Sequence, residues 1–213
     1  MPGTLQFADP TRAASLSKTL FLSVDPGTRN PAFALFLDGR CLIARRTKVP
    51  GKLAKLDPVE RCRRIARLVA DDVRLELVRI FGAGPRTPQI LATEMPQVYT
   101  REKSKGDPND LILLAVMLGA LAAELGLEVV SAKPKDWCMI PKREREFKDP
   151  WLSPRGHVFR SRLLPGEFEV IESTHDALDA WGIGAKILYR LEKNLVGTTR
   201  RPSGSPTGRP RIT

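Results

Sequence analysis

The sequence predicts an α/β fold in which one mixed five-stranded sheet is flanked by helices. Two observations support this fold class. Strand patterns follow one another directly early in the chain, whereas later strand patterns alternate with helical ones. Short connections between the early strands favour antiparallel pairing, and strands reached through helices favour parallel pairing. The expected sheet therefore combines three antiparallel strands with two parallel ones.

The first three strands are bounded by turn-forming residues. The apolar run Leu20–Val24 ends at Asp25-Pro-Gly, which is typical of a buried central strand closed by a turn. The next two strands are predicted at Ala32–Leu37 and Cys41–Arg46. The Asp38-Gly39 pair between them is the short-range signature of a hairpin.

A helix follows these strands. Asp57 is a suitable N-cap, and Pro58 stands where a first helical turn tolerates proline. Apolar residues then recur at helical spacing up to Gly82, namely Cys62, Ala66, Val69, Val73 and Leu77. We expect the arginines between them to face water.

The remaining elements alternate between strand and helix. They are a strand at 89–94, a helix at 109–125 stopped by Gly126, a strand at 127–132 and a last helix at 174–191. The segment between the last strand and the last helix contains several prolines and many basic residues, and no element is predicted across 150–172.

The 213 residues fit one domain, expected at 19–192 with an irregular insertion at 133–172. Residues 1–18 and the basic segment 193–213 have compositions typical of flexible ends. The basic tail has two interpretations, a non-specific electrostatic arm or a solvated tail without a specific role.

Composition indicates a polyanionic partner. The chain has 35 Lys and Arg against 24 Asp and Glu, a net charge of +11. Nucleic acid is the first expectation, and an anionic membrane surface or an acidic protein is the alternative.

The three cysteines lack zinc or disulfide spacing. With no signal-peptide pattern and no apolar run of about eighteen residues, we expect a cytoplasmic protein that does not span a membrane.

Four acids lie at positions that such a fold is expected to bring together. Asp25 and Glu94 end two strands, and Asp176 and Asp179 lie three apart on one face of the last helix. If the two strands are parallel neighbours, both carboxylates emerge at the same edge of the sheet. Each acid alone also fits a turn, a solvated strand end or a helix-dipole residue. The joint placement favours a functional site.

Clustered carboxylates repel one another unless a cation is present, which points to a hard-cation site. Mg²⁺ fits best, because it prefers oxygen ligands, and two such ions can support in-line hydrolysis of a phosphodiester. The acids therefore predict a hydrolytic nuclease.

The same residues carry a family resemblance. The segment Phe21-Leu-Ser-Val-Asp25-Pro-Gly-Thr-Arg-Asn30 resembles the opening motif of RuvC-type Holliday junction resolvases. Ala92-Thr-Glu94 resembles the second acidic strand of that family, and Thr174-His-Asp176-Ala-Leu-Asp179-Ala180 resembles its closing helix. Details elsewhere are similar to divergent phage or prophage members.

The resemblance implies a ribonuclease H-like fold and a homodimer that nicks a four-way DNA junction, using Mg²⁺ or Mn²⁺, in a bacterial or phage-infected cell. The four acids would be its catalytic and metal-binding residues. The sequence departs from the family at Asn30-Pro31-Ala32, which stands where the family has Thr-Gly and an aromatic. Tyr99 is the candidate for the aromatic residue that follows the second acid, although two extra residues intervene.

Basic residues on both sides of the second predicted helix are candidates for DNA contact. Arg101, Lys103 and Lys105 follow Glu94 and rank first for backbone contacts. Lys133, Lys135, Lys142 and Arg143 lie near Trp137 and Trp151, a mixture suited to phosphate contacts and stacking. The alternative is a loop packed by its tryptophans.

Two rival functions remain open at this point. One is a catalytically silent nucleic-acid-binding or assembly protein with the same fold and basic surface. The other is a ribonuclease H-like nuclease acting on RNA–DNA hybrids. The fold alone does not decide between them.

Overall fold

The structure is a computed structural model of the chain. It describes residues 19–84, 86–94, 108–132 and 147–199, and within these the side chains of 108–110 and 191–199 are outside the description.

Five strands form one mixed sheet in the order β3-β2-β1-β4-β5. The strands are β1 (Phe21–Asp25), β2 (Ala32–Leu37), β3 (Arg40–Arg46), β4 (Ile90–Glu94) and β5 (Glu128–Ala132). β2 pairs antiparallel with β1 and β3, whereas β4 pairs parallel with β1 and β5. This arrangement confirms the predicted fold class.

Five helices accompany the sheet in the described part of the chain. They are α1 (Pro58–Phe81), α2 (Pro108–Leu125), α3 (Pro154–Arg160), α4 (Glu167–Val170) and α5 (His175–Thr199). Short 3-10 turns occur at Gly51–Lys55 and Pro150–Leu152.

Two hydrophobic cores occupy the two faces of the sheet. Alternation along β1 directs Leu22 and Val24 towards α1 and α2, and directs Phe21 and the Ser23 hydroxyl towards α5. Phe21 stacks on Phe36 of β2 with ring centroids 4.8 Å apart. β1 is therefore covered on both faces, as its continuous apolar sequence predicts.

Local signals set several element ends as predicted. The Asp57 carboxylate accepts hydrogen bonds from the backbone N–H groups of Val59 and Glu60, which caps α1. Asp38 and Gly39 both have positive φ, 51° and 78°, as a two-residue hairpin turn requires. Pro31 immediately precedes β2, where its missing N–H does not interrupt the ladder.

Two expectations need correction. The segment 150–172 is not without regular structure, since it contains the second 3-10 turn, α3 and α4. These elements are too short for helical periodicity to show in the sequence. Side chains cap two of them, Asp149 at the 3-10 turn and Ser153 at α3. The last helix also continues past Leu191 to Thr199, so residues 193–199 of the predicted tail are helical.

The segment before α5 covers the exposed edge of β3. The Glu167 carboxylate accepts a 2.6 Å hydrogen bond from the backbone N–H of Cys41, and the backbone N–H of Glu172 donates to the Ala44 carbonyl at 2.7 Å. Ile171 forms an isolated bridge with Ala44. These bonds satisfy strand groups that an open edge would leave unpaired. Within the described ranges, none of the helices is both long and apolar enough to span a membrane.

Candidate active site

Asp25 and Glu94 end neighbouring parallel strands. Val24 pairs with Thr93, so the two acids occupy the next position on each strand. The Thr93 hydroxyl donates a 3.2 Å hydrogen bond to the Val24 carbonyl, which joins the strands just before the acids. Asp25 has the same orientation as Ser23, whose hydroxyl contacts α5. Both acids therefore emerge on the α5 side of the sheet.

The turn after Asp25 requires glycine at position 27. A Cβ atom there would lie 3.0 Å from the backbone carbon and oxygen of Asn30, tighter than ordinary packing. The close turn returns the chain at once to β2. The Asp-Pro-Gly motif therefore places Asp25 at the rim of the sheet without an intervening loop.

Helix α5 brings the other two acids to this rim. The Thr174 hydroxyl accepts a 3.2 Å hydrogen bond from the backbone N–H of Ala177, so Thr174 caps the helix just before its acidic face begins. The Ser23 hydroxyl donates a 2.6 Å hydrogen bond to the Ala180 carbonyl. Asp176 and Asp179 consequently lie beside the ends of β1 and β4.

The electrostatics of Asp25 show that all four acids share one site. Burial raises the pKa of Asp25 well above its ordinary value, and the charges of Asp179, Glu94 and Asp176 raise that pKa further. The Arg155 guanidinium acts in the opposite direction and lowers it. The structure therefore brings Glu94, Asp176 and Asp179 close enough to influence Asp25, and adds one cation.

Sequence reasoning did not identify Arg155. Its Nη1 lies 2.7 Å from Oδ1 of Asp179, and the two side chains are only 12% and 18% exposed. Arg155 stands in the segment where no element was predicted. The Ser153-Pro154 pair is a local signal for a helix start there, but nothing in the sequence shows that this helix begins beside α5.

The four acids fit a hard divalent cation in donor chemistry, because all of them supply carboxylate oxygens. Among the described residues, however, the acidic, histidine and cysteine side chains form no cluster of three or more already arranged around an ion position. The carboxylates repel one another, and Arg155 holds Asp179. The site thus has carboxylate ligands for a cation and a negative charge that a cation would neutralise. Its described side chains are not yet arranged as a coordination shell.

The other predicted site residues have different outcomes. His175, half-buried at the start of α5, places Nε2 3.0 Å from the Phe147 carbonyl. Trp151 is buried and contacts Phe168, so it packs its segment rather than presenting a stacking surface. All eight predicted DNA contacts lie outside the described residues: Tyr99, Arg101, Lys103, Lys105, Lys133, Lys135, Lys142 and Arg143.

Comparison with solved structures identifies the fold. The Thermus thermophilus RuvC structure has 18% sequence identity, a TM-score of 0.50 and coverage of 82% of this chain and 97% of its own. T. thermophilus RuvC in complex with a Holliday junction substrate has 19% identity and a TM-score of 0.49, with 80% of this chain and 94% of that one covered. No protein-family model matches the chain. No curated protein sequence matches it either.

The mixed sheet with helices on both faces defines a ribonuclease H-like fold. Within that class, the chain has the RuvC-type fold.

Proposed function

We propose that the chain is a metal-dependent endonuclease that hydrolyses phosphodiester bonds in branched DNA and resolves four-way junctions as a homodimer. The observation that carries this proposal is the convergence of Asp25, Glu94, Asp176 and Asp179, seen in their combined effect on the pKa of Asp25. Four carboxylates at one sheet edge cost stability unless they serve a cation.

The four acids would hold Mg²⁺, or Mn²⁺ in its place. When bound, the metal supplies activation of the attacking water and neutralisation of charge on the leaving oxygen. The other three acids all act on the pKa of Asp25, which is the residue whose loss we expect to be most damaging. Its fixed position, set by β1 and the turn at Gly27, keeps the carboxylate oriented towards α5.

The chain itself provides the attraction for DNA. Its net charge of +11 draws a polyanion irrespective of sequence. We assign backbone contacts to the basic residues that follow Glu94 and β5, which flank the acid cluster along the chain. Tyr99 is the proposed stacking residue at the branch point. Preference for a junction over a duplex would then come from branch geometry.

The test compares a labelled four-way junction, the matching linear duplex and an RNA–DNA hybrid, each with Mg²⁺ and with chelator. Asp25→Asn is expected to abolish cleavage while binding persists. Asp38→Asn is the matched control, because it removes the same charge from an exposed hairpin turn where asparagine is equally acceptable. Cleavage that survives Asp25→Asn would exclude this site.

One observation favours a second candidate, a catalytically silent nucleic-acid-binding protein. Arg155 forms an ion pair with Asp179, and among the described residues no group of three or more potential ligands is arranged around an ion position. Junction binding without cleavage in either Mg²⁺ or Mn²⁺ would establish that alternative. Preferential cutting of the hybrid would instead identify a ribonuclease H-like activity.

A further inference from the structure

The Arg155–Asp179 ion pair involves one of the four clustered acids, and the charge of Arg155 also acts on Asp25. We infer that Arg155 takes the place of a divalent cation beside Asp179 in the metal-free protein and competes with that ion for the carboxylate. This inference rests on the proposed function, since it requires that the acids bind a metal. It assigns Arg155 as a positioning residue that sets the metal affinity of the free protein.

The first support is that Arg155 is held in place by a rigid turn. Ser153 donates a 2.6 Å hydrogen bond to the Pro150 carbonyl and accepts one of 3.0 Å from the backbone N–H of Gly156. A Cβ atom at Gly156 would lie 2.1 Å from the Pro150 oxygen and 2.7 Å from Cα of Trp151. The backbone on both sides of Arg155 is therefore fixed by close packing.

The second support is that the same turn is joined to the start of α5. The Asp149 carboxylate accepts hydrogen bonds from the backbone N–H of Trp151 at 3.0 Å and from the Ser173 hydroxyl at 3.1 Å. Ser173 directly precedes Thr174, which caps α5. The turn that leads into α3, which carries Arg155, and the helix that carries Asp179 are thus positioned relative to one another independently of the ion pair.

The third support is electrostatic. A guanidinium is always charged, and at 2.7 Å it supplies the positive charge that the site needs when no metal is bound. Among the contributions to the pKa of Asp25, Arg155 opposes the effect of the three acids. A carboxylate with only 18% exposure that loses this partner is poorly solvated and gains more from binding another cation.

The test measures Mn²⁺ binding without DNA, by the loss of the free-ion electron paramagnetic resonance signal on titration of the full chain. Arg155→Gln is expected to bind Mn²⁺ about tenfold more tightly than the unsubstituted protein, within the ~5 to 150-fold range by which one binding event typically changes the affinity of another. Arg155→Lys is expected to fall between them, because a lysine pairs as a point charge without the planar fork. Arg162→Gln, an exposed arginine just after α3, controls for net charge.

A purely structural role for Arg155 predicts the opposite result, since a disturbed site binds metal more weakly. Equal or weaker Mn²⁺ binding by Arg155→Gln, or an equal gain in Arg162→Gln, would overturn the inference alone. Absence of Mn²⁺ binding in every variant, with Asp25→Asn indistinguishable from the unsubstituted protein, would overturn the proposed function as well.

A second measurement covers the case in which Arg155→Gln folds poorly. The increase in melting temperature produced by Mn²⁺ is expected to be larger for Arg155→Lys than for the unsubstituted chain. An increase that is equal or smaller overturns the inference.

Discussion

The Ser23 hydroxyl donates a buried 2.6 Å hydrogen bond to the Ala180 carbonyl, across 157 positions of sequence. Ser23 lies two residues before Asp25 on β1, and Ala180 follows Asp179 on α5. This bond therefore joins two of the three elements that carry acids of the site, β1 and α5, next to the acids themselves. The sheet and the last helix cannot shift relative to each other without breaking it.

Replacing Ser23 with alanine should weaken both the fold and the site. We expect a loss of about 1 kcal/mol in the free energy of unfolding, measured by urea denaturation, because one buried hydrogen bond disappears. Junction cleavage should fall further than stability alone explains, since α5 loses a positioning contact. Ser161→Ala is the control, because its exposed hydroxyl bonds only locally to Val158 and its loss should change the unfolding free energy by less than ~0.5 kcal/mol. Equal effects of the two substitutions would contradict the positioning role of Ser23.

Close packing of α5 on the sheet depends on Gly184. A Cβ atom there would lie 2.2 Å from Cε2 of Phe36, and Phe36 is itself buried and stacked on Phe21. Gly184→Ala should therefore destabilise the protein by about 1–3 kcal/mol, as overpacking of a core usually does. Thermal or urea unfolding measures the loss.

A glycine in another helix provides the matched control for Gly184. Gly119 is exposed within α2, and its Cβ position meets no atom within 4 Å. Gly119→Ala should stabilise the protein by up to ~1 kcal/mol, because alanine favours helix more than glycine does. If Gly119→Ala also destabilised the protein, the loss at Gly184 could not be attributed to its contact with Phe36.

Stability of the metal-free protein should depend on the ionisation of Asp25. Its pKa in the folded protein lies well above the ordinary value of 3.8, so the folded state binds the proton more tightly than the unfolded state does. The contribution of Asp25 to stability therefore falls as pH rises from near 3.8 through its folded pKa. In chelator, Asp25→Asn should gain stability relative to the unsubstituted protein across that window, and the gain should level off above it. Parallel stability curves for the two proteins would exclude the predicted repulsion.

Cys41 and Cys62 should be unreactive in the folded protein. Both thiols are buried, and burial raises the pKa of each, so little thiolate is present at neutral pH. Titration with a thiol-specific disulfide reagent should modify at most one of the three cysteines, Cys138, before unfolding. All three should react in denaturant. Rapid modification of two thiols under native conditions would show that one of the buried pair is accessible.

The sequence was sufficient to predict the sheet and the proximity of the four acids, whereas their metal-binding role stays a prediction. Buried strands such as Phe21–Asp25 are mostly apolar, and turn residues such as Asp38-Gly39 mark strand ends. Position within these elements then predicted that Asp25 and Glu94 would converge with the acidic face of the last helix. Each of these predictions rests on a pattern that is local in the chain.

Arg155 and the short helices of the 150–172 segment could not be predicted in this way. A seven-residue helix such as α3 is too short for an apolar period, and its packing depends on Gly156 fitting against the Pro150 backbone. The Arg155–Asp179 pair joins side chains 24 positions apart whose proximity depends on that packing. The basic residues selected as DNA contacts lie before this segment. Arg155 itself was not selected, because a single arginine in an irregular stretch has the same sequence pattern as any solvent-exposed arginine.

The hydrogen bonds from Glu167 and Glu172 to β3 have a consequence for biosynthesis. The hairpin of β2 and β3 leaves the ribosome early, yet the residues that cover its edge are made more than 120 positions later, together with α5. A nascent chain therefore presents an open strand edge and an incomplete acid cluster until translation has passed the last helix. Closing the sheet edge and completing the acid cluster both wait for the same late part of the chain, so products truncated before α5 lack both.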